Sequence, residues 1–259
     1  MAALAASDTV IRTLYVMERH DQLLDVWREL DARQLAVTHV DFHCDMRGLL
    51  VDVEAGRAHA ELAGLPPLDE GNYITYALLE GRVARVRWVH DRPGGRLDDV
   101  NGVRLLSDLS SRWRARGLRQ QPEAGLRFTY QAMTFEDWQD IEPGEFLDID
   151  WDVFASIAYP PESIGRRVER FLRRPFRHAP AHIALCYSPG YAHETRPEFE
   201  AFAERLAARF DARTVHLPPP APPPATGAGR KMGLPRPLYN QLRRRYFDGV
   251  RWLRQRGIY

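Results

Sequence analysis

The chain is nearly without lysine: Lys231 is the one lysine among 36 basic residues, and arginine supplies the rest. That bias reads as genomic base composition and carries no functional argument. Cysteine is scarce too. Cys44 and Cys186 are too few for a disulfide framework, which excludes the small stapled secreted scaffolds and fits a reducing compartment. No stretch approaches the ~20 apolar residues of a membrane-spanning helix, so no membrane partner is expected. Met1-Ala2-Ala3-Leu4-Ala5-Ala6-Ser7 has neither the basic start nor the long apolar run of a secretory signal. A cytoplasmic protein is the expectation.

What is present is a chain of 259 residues with 44% apolar content, enough for one sizeable core. The net charge of +1 conceals an asymmetry. Residues 230–259 hold nine Arg/Lys and one Asp, which leaves about −7 on residues 1–229. Strand-like and helix-like segments alternate, the pattern of a parallel sheet covered by helices. The strands are expected at Thr9–Val16, 35–40, 83–89, 126–132, 145–150, 181–187 and 213–217. Helical periodicity marks Leu23, Val26, Trp27 and Leu30, then 72–79. It returns in a helix opened and capped by Ser163 with Ile164, Val168, Phe171 and Leu172 on one face, and in one striped by Phe199, Phe202, Ala203, Leu206 and Phe210. Residues 103–116 read as helix or loop. The expected organisation is a domain over 1–216, a Pro/Ala/Gly linker over 217–229 and a basic amphipathic tail over 230–259.

Two acidic clusters follow strands. Asp41-Phe42-His43-Cys44-Asp45 follows 35–40, and Asp148-Ile149-Asp150-Trp151-Asp152 lies at the end of 145–150. The C-terminal ends of parallel strands are where open α/β sheets place ligand sites, and so many acids repel one another unless a cation lies between them. If the first segment stays extended, Asp41, His43 and Asp45 project to one side and Cys44 turns into the core. Oxygen-rich ligands with imidazole suit manganese, iron or magnesium and also admit zinc. His20-Asp21, after the first strand, adds a further ligand. His39 is read as structural, and Asp152 either orients a ligand or closes its strand.

A histidine, then Asp-x-His-x-Asp, then Asp-x-Asp, in this chain order, resembles the arginase/ureohydrolase and histone-deacetylase-like superfamily. The resemblance covers roughly residues 9–216 and implies a three-layer α/β/α fold with a mainly parallel sheet. It implies one metal held by His20, Asp41, Asp45 and Asp148 and a second by Asp41, His43, Asp148 and Asp150, so that replacing Asp148 by alanine would remove metal and turnover together. Two Mn2+ per chain are implied, with Zn2+ or Fe2+ as other occupants. The blocks Val16-Met17-Glu18-Arg19-His20-Asp21, His39-Val40-Asp41-Phe42-His43-Cys44-Asp45, Asn72-Tyr73-Ile74, Arg87-Trp88-Val89-His90 and Leu147-Asp148-Ile149-Asp150-Trp151-Asp152-Val153-Phe154 are more similar to a branch that includes the peptide arginases, which convert arginine to ornithine within ribosomally made peptides.

Two departures matter. The first histidine lies in Glu-Arg-His-Asp, not His-Gly-Gly-Asp. The loop Met46-Arg47-Gly48-Leu49-Leu50 lacks the Asn- and Ser-rich stretch that grips free arginine. An arginine inside a peptide has no free α-amino and α-carboxylate groups to grip, so the expected partner is an arginine-containing precursor peptide. The resemblance implies Glu194 as the guanidinium partner. His90, at a strand end, is a candidate proton carrier, and Asn72 either contacts substrate or caps its helix. The tail mixes arginines with Tyr246, Phe247 and Trp252, but a packed amphipathic helix bearing Leu238, Leu242, Tyr246, Val250 and Leu253 is favoured over nucleic-acid binding; a third use would be to hold an acidic leader segment of the precursor. Two other functions compete: a one-zinc deacylase using Asp41, His43 and Asp148, and a non-catalytic binding protein.

Overall fold

The structure, a computed structural model, describes residues 12–47, 49–54, 57–62, 67–91, 126–157 and 159–220. The segment 103–116, residues 221–229 of the expected linker and the tail 230–259 lie outside the described residues.

Nine strands form one sheet: β1 (Arg12–Met17), β2 (Leu35–Val40), β3 (Leu49–Glu54), β4 (Arg57–Leu62), β5 (Val83–His90), β6 (Leu126–Thr134), β7 (Phe146–Asp150), β8 (His182–Cys186) and β9 (Ala212–His216). Their order is β3-β4-β6-β5-β2-β7-β8-β1-β9. The seven strands from β6 to β9 are parallel, and the hairpin β3–β4 adds an antiparallel edge. That hairpin was not expected. Its signal is in the sequence, as the alternation Val51-Asp52-Val53-Glu54 followed by Ala55-Gly56.

Helices cover both faces, because strand side chains alternate and each face is apolar. Against one face lie α1 (Gln22–Glu29) and α2 (Tyr73–Leu79), whose Leu23, Trp27, Tyr73 and Ile74 pack with Val37, Val86, Trp88 and Phe146 of the strands. Against the other lie α3 (Asp152–Ala155), α4 (Ile164–Leu172) and α5 (Arg196–Phe210). There Val168, Phe171, Phe199, Phe202 and Leu206 meet Leu147, Ile149, Ile183 and Leu185. The result is the expected three-layer α/β/α arrangement. One capping expectation fails: the Ser163 hydroxyl donates back to the Pro160 carbonyl at 2.7 Å and caps no helical N–H.

On β7 the alternation decides the site. Leu147 and Ile149 enter the core of the α3–α5 face, so Asp148 and Asp150 point with Phe146 to the α1–α2 face. On β2, Val37 marks the same face, which His39 shares. The pairs His39↔Asp148 and Val40↔Ile149 then set Asp41 beside Asp150 at the strand ends. No described helix is long and apolar enough to cross a membrane.

Candidate metal centre

The cluster gathers at the C-terminal ends of four neighbouring strands: β2 and β7 supply the acids, β1 His20 and β8 Ser188. The expected extended run through Asp45 does not form. β2 ends at Val40, the Asp41 carboxylate accepts the His43 N–H at 2.7 Å, and Asp45 adopts a left-handed φ of 49°. Aspartate tolerates that conformation because its short polar side chain bonds locally. Strand β7 ends the same way: the Asp150 carboxylate accepts the Asp152 N–H at 3.0 Å. The two turns are counterparts, so Asp41-x-His43 on one strand faces Asp150-x-Asp152 on the next.

His20 enters from the turn after β1 and is fully buried. Its two ring nitrogens face different groups. Nε2 lies 2.8 Å from Asp148 Oδ1. Nδ1 lies 3.5 Å from Asp41 Oδ2, 3.3 Å from Asp45 Oδ2 and 3.2 Å from Asp150 Oδ2, with no aligned hydrogen bond to any of them. His43 forms a second centre: its Nδ1 is 2.9 Å from Asp152 Oδ2 and 3.8 Å from Asp41 Oδ1. Asp41 belongs to both centres. The ligand atoms of His20, Asp41 and Asp45, and likewise those of Asp41, His43 and Asp152, lie within 4.8 Å of one another.

Buried polar atoms normally find partners, and their exceptions call for an explanation. Here His20 Nδ1, Asp41 Oδ2 and Asp152 Oδ2 are buried without a hydrogen bond. The electrostatics point the same way. Burial, and then the charge of Asp41, push Asp45 up to about 7. Burial, with Asp150 and Asp41 close by, raises Asp152 well above the usual carboxylate range. Burial opposes ionisation of Asp41 as well, but His39 and His20 outweigh it and hold that carboxyl well below its ordinary value. His43 is disfavoured as a cation by burial, yet Asp152 and Asp41 lift it to about 9. Protons on acids and imidazoles thus supply the positive charge that a divalent cation would bring, and the donor set of carboxylates plus imidazole fits such a cation. Cys186 lies with His20 and Asp150 in a further group of possible ligand atoms, and burial raises its thiol well above the ordinary value. Neither cysteine is in a disulfide, and Cys44 is half-buried against the core of the α1–α2 face.

Among the expected site residues, the structure brings together His20, Asp41, His43, Asp45 and Asp150. Asp148 joins His20 and His39 in a further group of possible ligand atoms within 4.8 Å of one another. It lies on the Nε2 side of His20, and its other oxygen accepts the Tyr73 hydroxyl at 2.5 Å and faces His39 Nδ1 at 2.9 Å. His39, read from sequence as a bystander, is part of the cluster: its Nε2 is 3.1 Å from Asp41 Oδ2. Its two-residue spacing from Asp41 was the available signal. Burial works against its cation, but Asp41 and Asp148 raise it to about 10. Tyr73 was marked only as part of the block Asn72-Tyr73-Ile74, with no role assigned to its hydroxyl.

Asn72 is buried, with Oδ1 accepting the Asp69 N–H at 2.8 Å and Nδ2 donating to the Pro67 carbonyl at 2.9 Å; it braces the turn before α2 and bonds no N–H of the helix. His90 is buried at the end of β5 on the face of Asp41, its ring 4.6 Å from Trp88 between centroids. Trp88 in turn donates its indole N–H to the Asp41 carbonyl at 3.1 Å. Glu194 is exposed on the segment between β8 and α5, and makes no hydrogen bond or ion pair with the described residues of the cluster. His43, 31% exposed at its side chain, is where the centre opens, flanked by the rings of Phe42 and Tyr191.

No family model and no curated protein matches the chain. Solved structures do. The proclavaminate amidino hydrolase of Streptomyces clavuligerus is 16% identical, with a TM-score of 0.42 over 76% of this chain and 61% of that one. An arginase from Medicago truncatula is 16% identical, with a TM-score of 0.42 over 78% and 58%. An arginase-like protein of T. brucei, a triple mutant bound with Mn2+, is 13% identical, with a TM-score of 0.41 over 78% and 62%. The chain therefore spans about three fifths of the length of these proteins.

Proposed function

We propose that this chain is a divalent-metal hydrolase of the ureohydrolase type that converts arginine within a peptide to ornithine and releases urea. One observation carries the reading: Asp41 is shared by two adjacent ligand centres, one around His20 and one around His43. A pair of cations, Mn2+ by the oxygen-rich donor set, would be held by His20, Asp41, Asp45 and Asp150 on one side and by Asp41, His43 and Asp152 on the other. Bound there, such a pair supplies Lewis acidity and a water of lowered pKa.

The chain's own residues do the rest. Asp41 and Asp150 fix the spacing of the two centres, because each is locked by a backbone N–H two residues on. Ser188 donates its hydroxyl to Asp150 Oδ2 at 2.6 Å and holds that oxygen towards His20. A guanidinium entering past His43 would meet a carboxylate-rich wall suited to its planar donors. The departing amine needs a proton, and His90, on the face of Asp41, is the residue proposed to carry it.

The preference for peptidyl arginine rests on the segment after Asp45. Met46 is fully buried and Arg47 pairs with Asp69, so neither reaches for the charged ends of a free amino acid. The partner proposed is an arginine-containing precursor peptide. The test is to incubate Mn2+-loaded protein with such a peptide and with free arginine, following urea and the loss of CH2N2 from the peptide mass. Urea from peptide alone is expected. Urea from free arginine alone would remove the peptide specificity, and no urea from either would remove the hydrolase reading. Zinc-dependent release of acetate from an acetyl-lysine peptide would move the function to the one-zinc deacylase.

A further inference from the structure

Whereas Asp150 bonds a backbone N–H and the Ser188 hydroxyl, Asp148 has both oxygens engaged by ring-bearing side chains. Oδ1 faces His20 Nε2 at 2.8 Å, and Oδ2 receives the Tyr73 hydroxyl at 2.5 Å and His39 Nδ1 at 2.9 Å. It is fully buried, one layer deeper than Asp150, in register with His39 on β2. Imidazole is a rigid ring with its two nitrogens on different edges. A carboxylate seated on Nε2 fixes which nitrogen carries the proton and leaves the Nδ1 lone pair directed at Asp41, Asp45 and Asp150. Tyr73 adds a second restraint, since its ring stacks on that of His20 with centroids 4.6 Å apart and planes at 29°. His39 adds a third by spanning Asp148 and Asp41 through its two nitrogens.

We infer that Asp148 is a positioning residue and not a metal ligand: with Tyr73 and His39 it clamps His20 so that Nδ1 joins Asp41, Asp45 and Asp150 in holding one cation, while the ligand pair on β7 is Asp150 and Asp152. This rests on the two-centre reading above and deepens it. It moves the ligating Asp-x-Asp two residues along the chain from the pair expected by resemblance. The matching turns at Asp41 and Asp150 support the shift, because only the pairing of Asp41 with Asp150 places His43 opposite Asp152.

The experiment is calorimetric titration of Mn2+ into chelator-stripped wild type, Asp148→Asn, Asp148→Ala, Tyr73→Phe and Asp150→Ala, with the metal-free thermal midpoint recorded for each. Asp148→Asn keeps an acceptor for His20 and should bind the wild-type number of Mn2+ ions about 10–100-fold more weakly, the usual cost of losing an outer-shell partner. Asp148→Ala should weaken binding further at unchanged stoichiometry, and Tyr73→Phe less than either. Asp150→Ala should lose at least one equivalent. Loss of an equivalent in Asp148→Asn would make Asp148 a ligand and overturn the inference. So would wild-type affinity in both Asp148→Asn and Tyr73→Phe. If the Asp148 variants do not fold, Tyr73→Phe, which deletes a single hydroxyl, decides alone. Wild type that binds no Mn2+ would remove the two-centre reading and this inference with it, whereas normal wild-type binding with an unaffected Asp148→Asn removes only the inference.

Discussion

Just before β7, Glu145 is fully buried, receives Thr38 Oγ1 at 2.8 Å and Arg87 Nη1 at 3.0 Å, and lies 3.1 Å from Arg85 Nη2. Both arginines also pair with Glu142. At the far end of the same strand Asp150 lies near Asp41, Asp45 and Asp152, with imidazoles and the Ser188 hydroxyl around them but no arginine among the described residues bonded to any of the four. Two glutamates facing two arginines make a network of balanced charge, although Glu145 Oε1 is itself buried without a hydrogen bond. The acids at the other end balance only by taking up protons, and several of their atoms are left without partners. Buried charge with an orphaned atom is therefore no sign of a site, since both ends have that; buried charge of one sign is.

Mutation of one acid in each cluster should separate them most sharply. Glu145→Ala leaves Arg87 buried with half its counter-charge and should cost about 3–5 kcal/mol, as removal of one member of a buried pair does. Asp45→Asn, which deletes a like charge from its cluster, should leave the metal-free protein as stable as wild type or more so. Urea unfolding in the presence of chelator measures both, and equal destabilisation would break the contrast. Next in size is the effect of metal. Mn2+ at 100 times its Kd should stabilise wild type by about 2.7 kcal/mol, and Asp41→Asn should lose most of that gain because it weakens both centres at once. Glu145→Ala, if it folds, should keep it.

The pH dependence should also differ between the ends. Asp45, raised to about 7 by burial and Asp41, holds a proton in the folded chain that the unfolded chain has released, so its contribution is present below about pH 4 and fades as pH rises through 7. His43, raised to about 9 by Asp152 and Asp41 against the pull of burial, contributes below about pH 6.5 and fades as pH rises through 9. Metal-free protein should thus weaken between about pH 4 and 9, through Asp45 up to about pH 7 and through His43 from about pH 6.5, by at most about 1.4 kcal/mol per pH unit for each proton. Mn2+ affinity should rise over the same interval, since binding must displace those protons. An Mn2+ affinity that is flat over that range would disconnect the protons from the cation site.

Most of the frame was legible because periodicity survives in strands and helices buried on a clear face. β2 falls where its β-branched run predicts, and α5 buries the phenylalanine stripe read from spacing. The hairpin β3–β4 was lost because Met46–Leu50 was read as a substrate loop by resemblance, although its alternation was plain. Within the site, spacing could not choose among Asp148, Asp150 and Asp152, which are all two residues apart. The choice proposed above rests on the β2–β7 register, a contact between segments over a hundred residues apart in sequence. Tyr73 joins for the same reason: it reaches Asp148 across 75 residues from a helix that needs it for packing anyway. The placement of Asp45 depends on a positive φ that no local pattern announces.

The smallest expected effect sharpens the contrast from within the neutral cluster. Glu142 is 47% exposed at its side chain, so its ion pairs with Arg85 and Arg87 are partly screened. Its carboxyl still lies below the ordinary range, because Arg85 and Arg87 outweigh a desolvation that would raise it. Glu142→Gln should cost less than about 1 kcal/mol, confined to pH above the usual carboxylate value, where the charge it removes exists. Mn2+ stoichiometry and affinity should be unchanged. A cost near that of Glu145→Ala would mean that the balanced network depends on its exposed member as much as on its buried one. Balance of charge, more than burial, would then be what separates the two ends of β7.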